Sequence, residues 1–114
     1  MTSDPPSTAK ADILVVDDQP DNIRLLSILL DEQGYKVRKA INGEMALNAV
    51  NSQIPDIILL DINMPRMNGY EVCKALRANE KTRHTPIIFL SALDEGLDKV
   101  NAFRVGGSDY VSKP

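Results

Sequence analysis

Ile13-Leu14-Val15-Val16-Asp17-Asp18 and Ile57-Ile58-Leu59-Leu60-Asp61 decide how this chain folds. Each is a short continuous apolar run, as a parallel strand covered on both faces requires. Each breaks off abruptly in carboxylate. If the two strands are parallel neighbours, three negative charges meet at one edge of the sheet, where they repel unless a cation relieves them. Such a placement does not serve stability. It suggests a hard divalent cation and a ligand that needs it.

Around these runs two periods alternate. Pro20 suits the first turn of a helix, where its missing N–H costs nothing. Asn22, Leu25, Leu26, Leu29 and Leu30 follow at helical spacing as the inward stripe, and Gly34 is a left-handed stop. Residues 35–40 read as a second strand, more polar and at an edge. Asn42-Gly43 opens the next helix, with Met45, Ala46, Ala49 and Val50 inward, ending before Pro55. Residues 56–60 form the most apolar strand and belong at the centre. A loop over 62–69 leads to a helix at 70–79 with Val72, Cys73 and Leu76 on its buried stripe. Residues 86–90 are a fourth strand, 97–105 a fourth helix closed by Gly106-Gly107, and 110–112 a short fifth strand.

Strands alternating with helices over short loops imply right-handed crossovers and an open parallel sheet of the α/β class. In such sheets ligands bind outside the carboxyl ends of the strands. Asp17, Asp18, Asp61, Ser91 and Lys113 all fall at expected carboxyl ends, drawn from four separate strands.

The 114 residues suffice for one core, assigned to 12–114, after a polar tail at 1–11 expected to be disordered. A net charge of −3 offers no basic surface for nucleic acid. The single Cys73 cannot form an internal disulfide, which fits a reducing compartment. No apolar stretch approaches the ~20 residues of a membrane span, and the tail lacks the apolar centre of a signal peptide. A cytoplasmic protein without membrane or direct nucleic-acid contact is expected.

The motifs Val15-Val16-Asp17-Asp18, Leu60-Asp61-Ile62-Asn63-Met64-Pro65 with Gly69, Ser91-Ala92, and Tyr110-Val111-Ser112-Lys113-Pro114 resemble the receiver (CheY-like) domain of two-component response regulators. The resemblance runs from Asp12 to Pro114 without a break. It implies a flavodoxin-like five-stranded sheet in the order 2-1-3-4-5 with helices on both faces. It further implies that Asp61 accepts a phosphoryl group from a phosphohistidine on a histidine kinase or phosphotransfer protein. Mg²⁺ would be held directly by Asp18 and Asp61, through water by Asp17, and by the Asn63 backbone carbonyl. Lys113 would face the phosphoryl oxygens. Ser91 would follow the phosphoryl group and Tyr110 turn inward behind it, reshaping a partner- or output-binding surface. Such a domain assists its own phosphorylation and dephosphorylation but is not by itself a turnover enzyme.

Plainer readings stand beside these. A strand-end Asp caps the following turn, and one of an acidic pair serves as a helix N-cap. His84 lies in a polar stretch and reads as a surface residue, Cys73 as core, and Met64 and Met67 as packing for the loop after Asp61. Among other classes, a flavin-binding module would need a hydroxyl- and glycine-rich loop where Asp17-Asp18-Gln19-Pro20 stands. An aspartate-dependent phosphohydrolase would need a second Asp where Asn63 stands. A receiver acting only as a scaffold would not need the complete acid, hydroxyl and lysine set.

The family normally continues past Lys-Pro into a fifth helix, whereas this sequence stops at Pro114. The expectation is a piece of a longer protein lacking that helix, with an output module after residue 114 and a homodimer through the face left open. The sequence does not choose among output modules.

Overall fold

β1 (Asp12–Val16) is buried at every position, as a strand covered on both faces must be. The computed structural model describes residues 11–91 and 106–112, with backbone alone at 91 and 109–112. The elements follow as α1 (Pro20–Glu32), β2 (Lys36–Ala40), α2 (Gly43–Ser52), β3 (Ile57–Asp61), α3 (Gly69–Ala78), β4 (Ile87–Ser91) and β5 (Asp109–Ser112). All strand pairings are parallel, in the order β2-β1-β3-β4-β5. This is the expected order. The helix expected at 97–105 lies outside the described residues.

Alternation along the strands divides the core in two. Leu14, Val16, Ile58, Leu60, Ile87 and Phe89 pack with Ala46 and Val50 of α2 and Val72, Cys73 and Leu76 of α3. On the opposite face, Ile13, Val15, Ile57 and Leu59 meet Ile23, Leu26 and Leu30 of α1. The α2–α3 face is sealed, since Ile58 and Leu60 are wholly buried, while Ile57 and Leu59 are only half-buried.

Two expectations about helix faces need correction. In α1 the inward positions are Ile23, Leu26, Ser27 and Leu30; Leu25 and Leu29 are 42% and 47% exposed. Apolar residues occur on most of the circumference of α1, so spacing admits more than one stripe, and the crossing over the sheet selects one. In α2, Ala46 and Val50 are buried but Met45 is 42% exposed. Asn42 is the N-cap and accepts from the Met45 N–H at 2.8 Å, which fixes the helix start and turns Met45 outward.

α1 ends as its glycine suggests. Gly34 has φ 90, its N–H reaches Asp31 O at 3.0 Å, and the Tyr35 N–H reaches Leu30 O at 3.2 Å. These are the paired bonds of a Schellman motif, with Tyr35 and Leu30 packed in the same core cluster.

The amino-terminal edge of the sheet is tied by Arg38 on β2. Its Nε and Nη2 each donate to Asp12 carboxylate oxygens at 3.1 Å, and it also donates to Ala49 O and Gln53 O at 3.0 and 2.7 Å. Asp56 closes the group by accepting the Asp12 N–H at 2.7 Å. This charged network lies at the opposite end of β1 from Asp17 and Asp18, so its rigidity supports the sheet without entering the site.

Candidate functional site

The pairing of Val16 with Leu60 brings Asp17 and Asp61 to the next step of adjacent strands. Asp17 continues the ladder, its N–H donating to Ala40 O at 3.1 Å, and its Oδ1 accepts the Gln19 N–H at 3.0 Å. Asp61 closes β3, and its Oδ1 lies 3.4 Å from the donating Asn63 N–H. Each side chain thus bonds two residues ahead, an Asx turn that directs it across the sheet edge. Asp17 and Asp61 are 0% and 1% exposed; Asp18 is half-buried. One carboxylate oxygen from each of the three lies within 4.8 Å of the others.

Helix capping does not account for the acidic pair. The N-cap of α1 is Gln19, without a side-chain cap bond, and Pro20 opens the helix. Asp17 and Asp18 stand before the cap, turned to the cluster. Three oxygen ligands without nitrogen or sulfur form the donor set of a hard divalent cation such as Mg²⁺. The residues therefore fit the expected ion.

The loop after Asp61 folds back on the strand it leaves. Met64 is buried and Met67 packs against the same core, so both methionines act as packing. The Met67 N–H reaches Pro65 O at 2.8 Å around Arg66, whose φ of 69 forms a γ-turn. The Gly69 N–H then donates to Ile62 O at 2.9 Å. A Cβ on Gly69 would overlap the Asp61 carbonyl oxygen and lie 2.9 Å from Ile62 Cα. The start of α3 is thus pressed against the backbone that carries Asp61.

A reciprocal capping box holds that start. Asn68 Oδ1 accepts the Glu71 N–H at 3.0 Å, and Glu71 Oε1 accepts the Asn68 N–H at 2.9 Å. Sequence reading passed over this pair, although Asn-x-x-Glu before an apolar stripe is its signal.

Of the other expected site residues, Ser91 ends β4 one step beyond Leu90, the partner of Asp61, so its backbone reaches the same edge. Tyr110 lies in β5 opposite Phe89. Their side chains, and Lys113 altogether, lie outside the described residues. Asn63 is exposed in the loop next to Asp61, and His84 is exposed far along the chain. Cys73 is buried on α3; burial pushes its thiol up from 9.0, opposed by the nearby Arg77 charge. It stays a protonated core residue.

Comparison with known proteins agrees with this geometry. The family model described as "Response regulator receiver domain" matches residues 13–114. The chain is 43% identical over 104 residues to response regulator PleD of Caulobacter vibrioides, covering 91% of this chain and 23% of that one. It is 43% identical over 102 residues to the alkaline phosphatase synthesis transcriptional regulatory protein PhoP of Bacillus subtilis, covering 90% and 42%. The chain therefore spans less than half the length of these relatives. Chemotaxis protein CheY4 of Vibrio cholerae superposes with a TM-score of 0.85 at 34% identity, over 91% of this chain and 87% of that one. With the parallel order β2-β1-β3-β4-β5 and the acidic edge, this establishes that the chain belongs to the receiver domain family of two-component response regulators.

Proposed function

We propose that Asp61 is the phosphoacceptor, that Asp17, Asp18, Asp61 and the Asn63 carbonyl hold Mg²⁺, and that Lys113 and Ser91 bind the transferred group. The observation that carries this is the convergence of three carboxylates within 4.8 Å at the carboxyl edge of a parallel sheet. An Asp61 oxygen attacks phosphorus as the P–N bond of the donor phosphohistidine breaks. The imidazole nitrogen keeps the bonding pair, and an acyl phosphate forms on Asp61. A carboxylate is a weak nucleophile toward an anionic phosphoryl group. Mg²⁺, when bound, supplies charge that screens the phosphoryl oxygens. Asp17 and Asp18 contribute the negative charge that retains the ion; Lys113 adds a compact cation on the same oxygens.

The donor is a histidine kinase or phosphotransfer protein in the cytoplasm. The domain assists its own phosphorylation and hydrolysis without being a turnover enzyme. Phosphorylation adds roughly −1.5 to −2 charge. Ser91 and Tyr110 relay that change to a surface read by a partner or an output module. Treatment with acetyl phosphate or beryllofluoride, followed by intact mass and tyrosine fluorescence, tests the reading. The expected result is an Mg²⁺-dependent +80 Da adduct with acetyl phosphate (roughly the mass of one phosphoryl group) and an Mg²⁺-dependent fluorescence change with either reagent, both abolished by Asp61→Asn. Continuous phosphate release from unrelated esters would instead favour a hydrolase.

The α1 face is less sealed, with Ile57 and Leu59 half-buried under α1, and α1 itself exposes Leu25, Ile28 and Leu29, which supports homodimerisation of this chain. Sedimentation velocity should show a concentration-dependent dimer that a charged substitution such as Leu29→Glu disperses. A monomer at all concentrations removes the proposal.

A further inference from the structure

Arg77 stands in the last turn of α3, at the amino-terminal ends of β4 and β5 and so at the far end of the sheet from the acids. Its guanidinium serves two loops at once. Nε donates to Gly106 O at 2.8 Å, just before β5. Nη1 faces Thr85 O at 2.7 Å, Arg83 O at 3.1 Å and Thr82 O at 3.4 Å, just before β4. The contact with Gly106 is close: φ there is 102, and a Cβ would meet Arg77 Cγ at 2.8 Å and Nε at 2.9 Å. Only a residue without a side chain both adopts this backbone and admits the arginine stem.

The two strands leave this point already joined. The Ser108 N–H donates to Ile87 O at 2.7 Å, and the Ile87 N–H donates to Ser108 Oγ at 3.2 Å. From there the strands run in register from Ile88↔Asp109 to Ser91↔Ser112. Among the described strands β5 is the edge, paired with β4 alone. Its placement therefore depends on where it starts. The residue that follows Ser112 is Lys113.

We propose that Arg77 is a positioning residue for phosphoryl transfer: by joining the loop before β4 to the turn before β5, it sets where β5 runs and hence how Lys113 meets the phosphoryl group on Asp61. The inference rests on the role given above to Lys113. The planar fork of arginine is what the task needs, because its donors diverge in fixed directions toward carbonyls of two segments. A lysine ammonium is a point donor on a flexible stem and serves one segment or the other. Nothing in this arrangement touches Asp17, Asp18 or Asp61, so metal retention is independent of it.

The test uses the full 114-residue chain with Arg77→Lys, Gly106→Ala and Lys113→Ala beside wild type. Gly106→Ala keeps the arginine charge but forces the stem away. Acetyl phosphate gives phosphorylation rates by intact mass, Mg²⁺ titration gives metal affinity by tyrosine fluorescence, and hydrogen exchange gives local protection. The expected result for both Arg77→Lys and Gly106→Ala is a roughly ten- to hundredfold slower phosphorylation, the scale of a small misplacement of a reacting group. Mg²⁺ affinity should stay within about twofold of wild type, on the standing that the ligands are untouched. Protection should be lost at Ser108 and along β5 but retained in β1 and β3.

Wild-type phosphorylation rates in both variants overturn the inference. So does loss of protection spread evenly over the sheet with weakened Mg²⁺ binding, which marks Arg77 as a general stabiliser. If Lys113→Ala is itself phosphorylated at the wild-type rate, the site reading has failed and the inference falls with it. If Lys113→Ala is slow and Arg77→Lys is not, only the inference fails.

Discussion

Gly69→Ala is expected to lower stability by about 3 kcal/mol, at the upper end of overpacking costs, because the added methyl group has nowhere to go. Its nearest neighbours are the Asp61 carbonyl oxygen and the Ile62 Cα, both backbone atoms of a buried strand end. A flexible side chain could swing aside; β3 cannot, since it is paired on both sides with β1 and β4. The strain can be relieved only by lifting the start of α3, which breaks the Gly69 N–H to Ile62 O bond and the Asn68–Glu71 box, or by displacing Asp61 itself. Thermal unfolding should show a midpoint lower by on the order of 10–20 °C for a domain of this size. Where the strain displaces Asp61 relative to Asp17, the folded protein should also bind Mg²⁺ more weakly. An unchanged midpoint would show that α3 does not clamp the Asp61 backbone.

Asp61→Asn should invert the stability order of variant and wild type according to metal. The substitution is isosteric and keeps an oxygen to accept from the Asn63 N–H. It removes one of three negative charges whose oxygens lie within 4.8 Å of one another in a largely buried cluster. With chelator present, relief of that repulsion, partly screened through half-buried Asp18, should stabilise the variant by about 1–3 kcal/mol. With Mg²⁺ at about a thousandfold over its dissociation constant, wild type should gain about 4.1 kcal/mol, while the variant, with two carboxylates left, gains far less. Melting curves in chelator and in saturating Mg²⁺ should therefore cross in order. A variant that is less stable in chelator and equally stabilised by Mg²⁺ would dissolve the cluster as a metal site. On the proposed function the same substitution should also abolish the acyl phosphate, so the stability and transfer measurements test one residue in two independent ways.

The legible parts of this protein are those written in local pattern. The runs at Ile13 to Val16 and Ile57 to Leu60 become the two central strands because apolar side chains on both faces leave no other way to bury them. The acids that end these runs reach one edge because parallel strands share direction. The helix faces of α1 and α2 were not legible. Leu25, Leu29 and Met45 satisfy the spacing as well as the residues actually buried, and only the crossing against the sheet decides among them.

Within the site, the sequence by itself determined which residue types stand at the strand ends, and hence the donor chemistry. The tertiary structure decided what holds them in place. Gly69 meets Asp61 and Arg77 meets Gly106 through close contacts that neither pair's own segment dictates. Such contacts carry no period and no propensity. They exist only once the chain has folded, which is why the acids could be read from the sequence and these contacts could not.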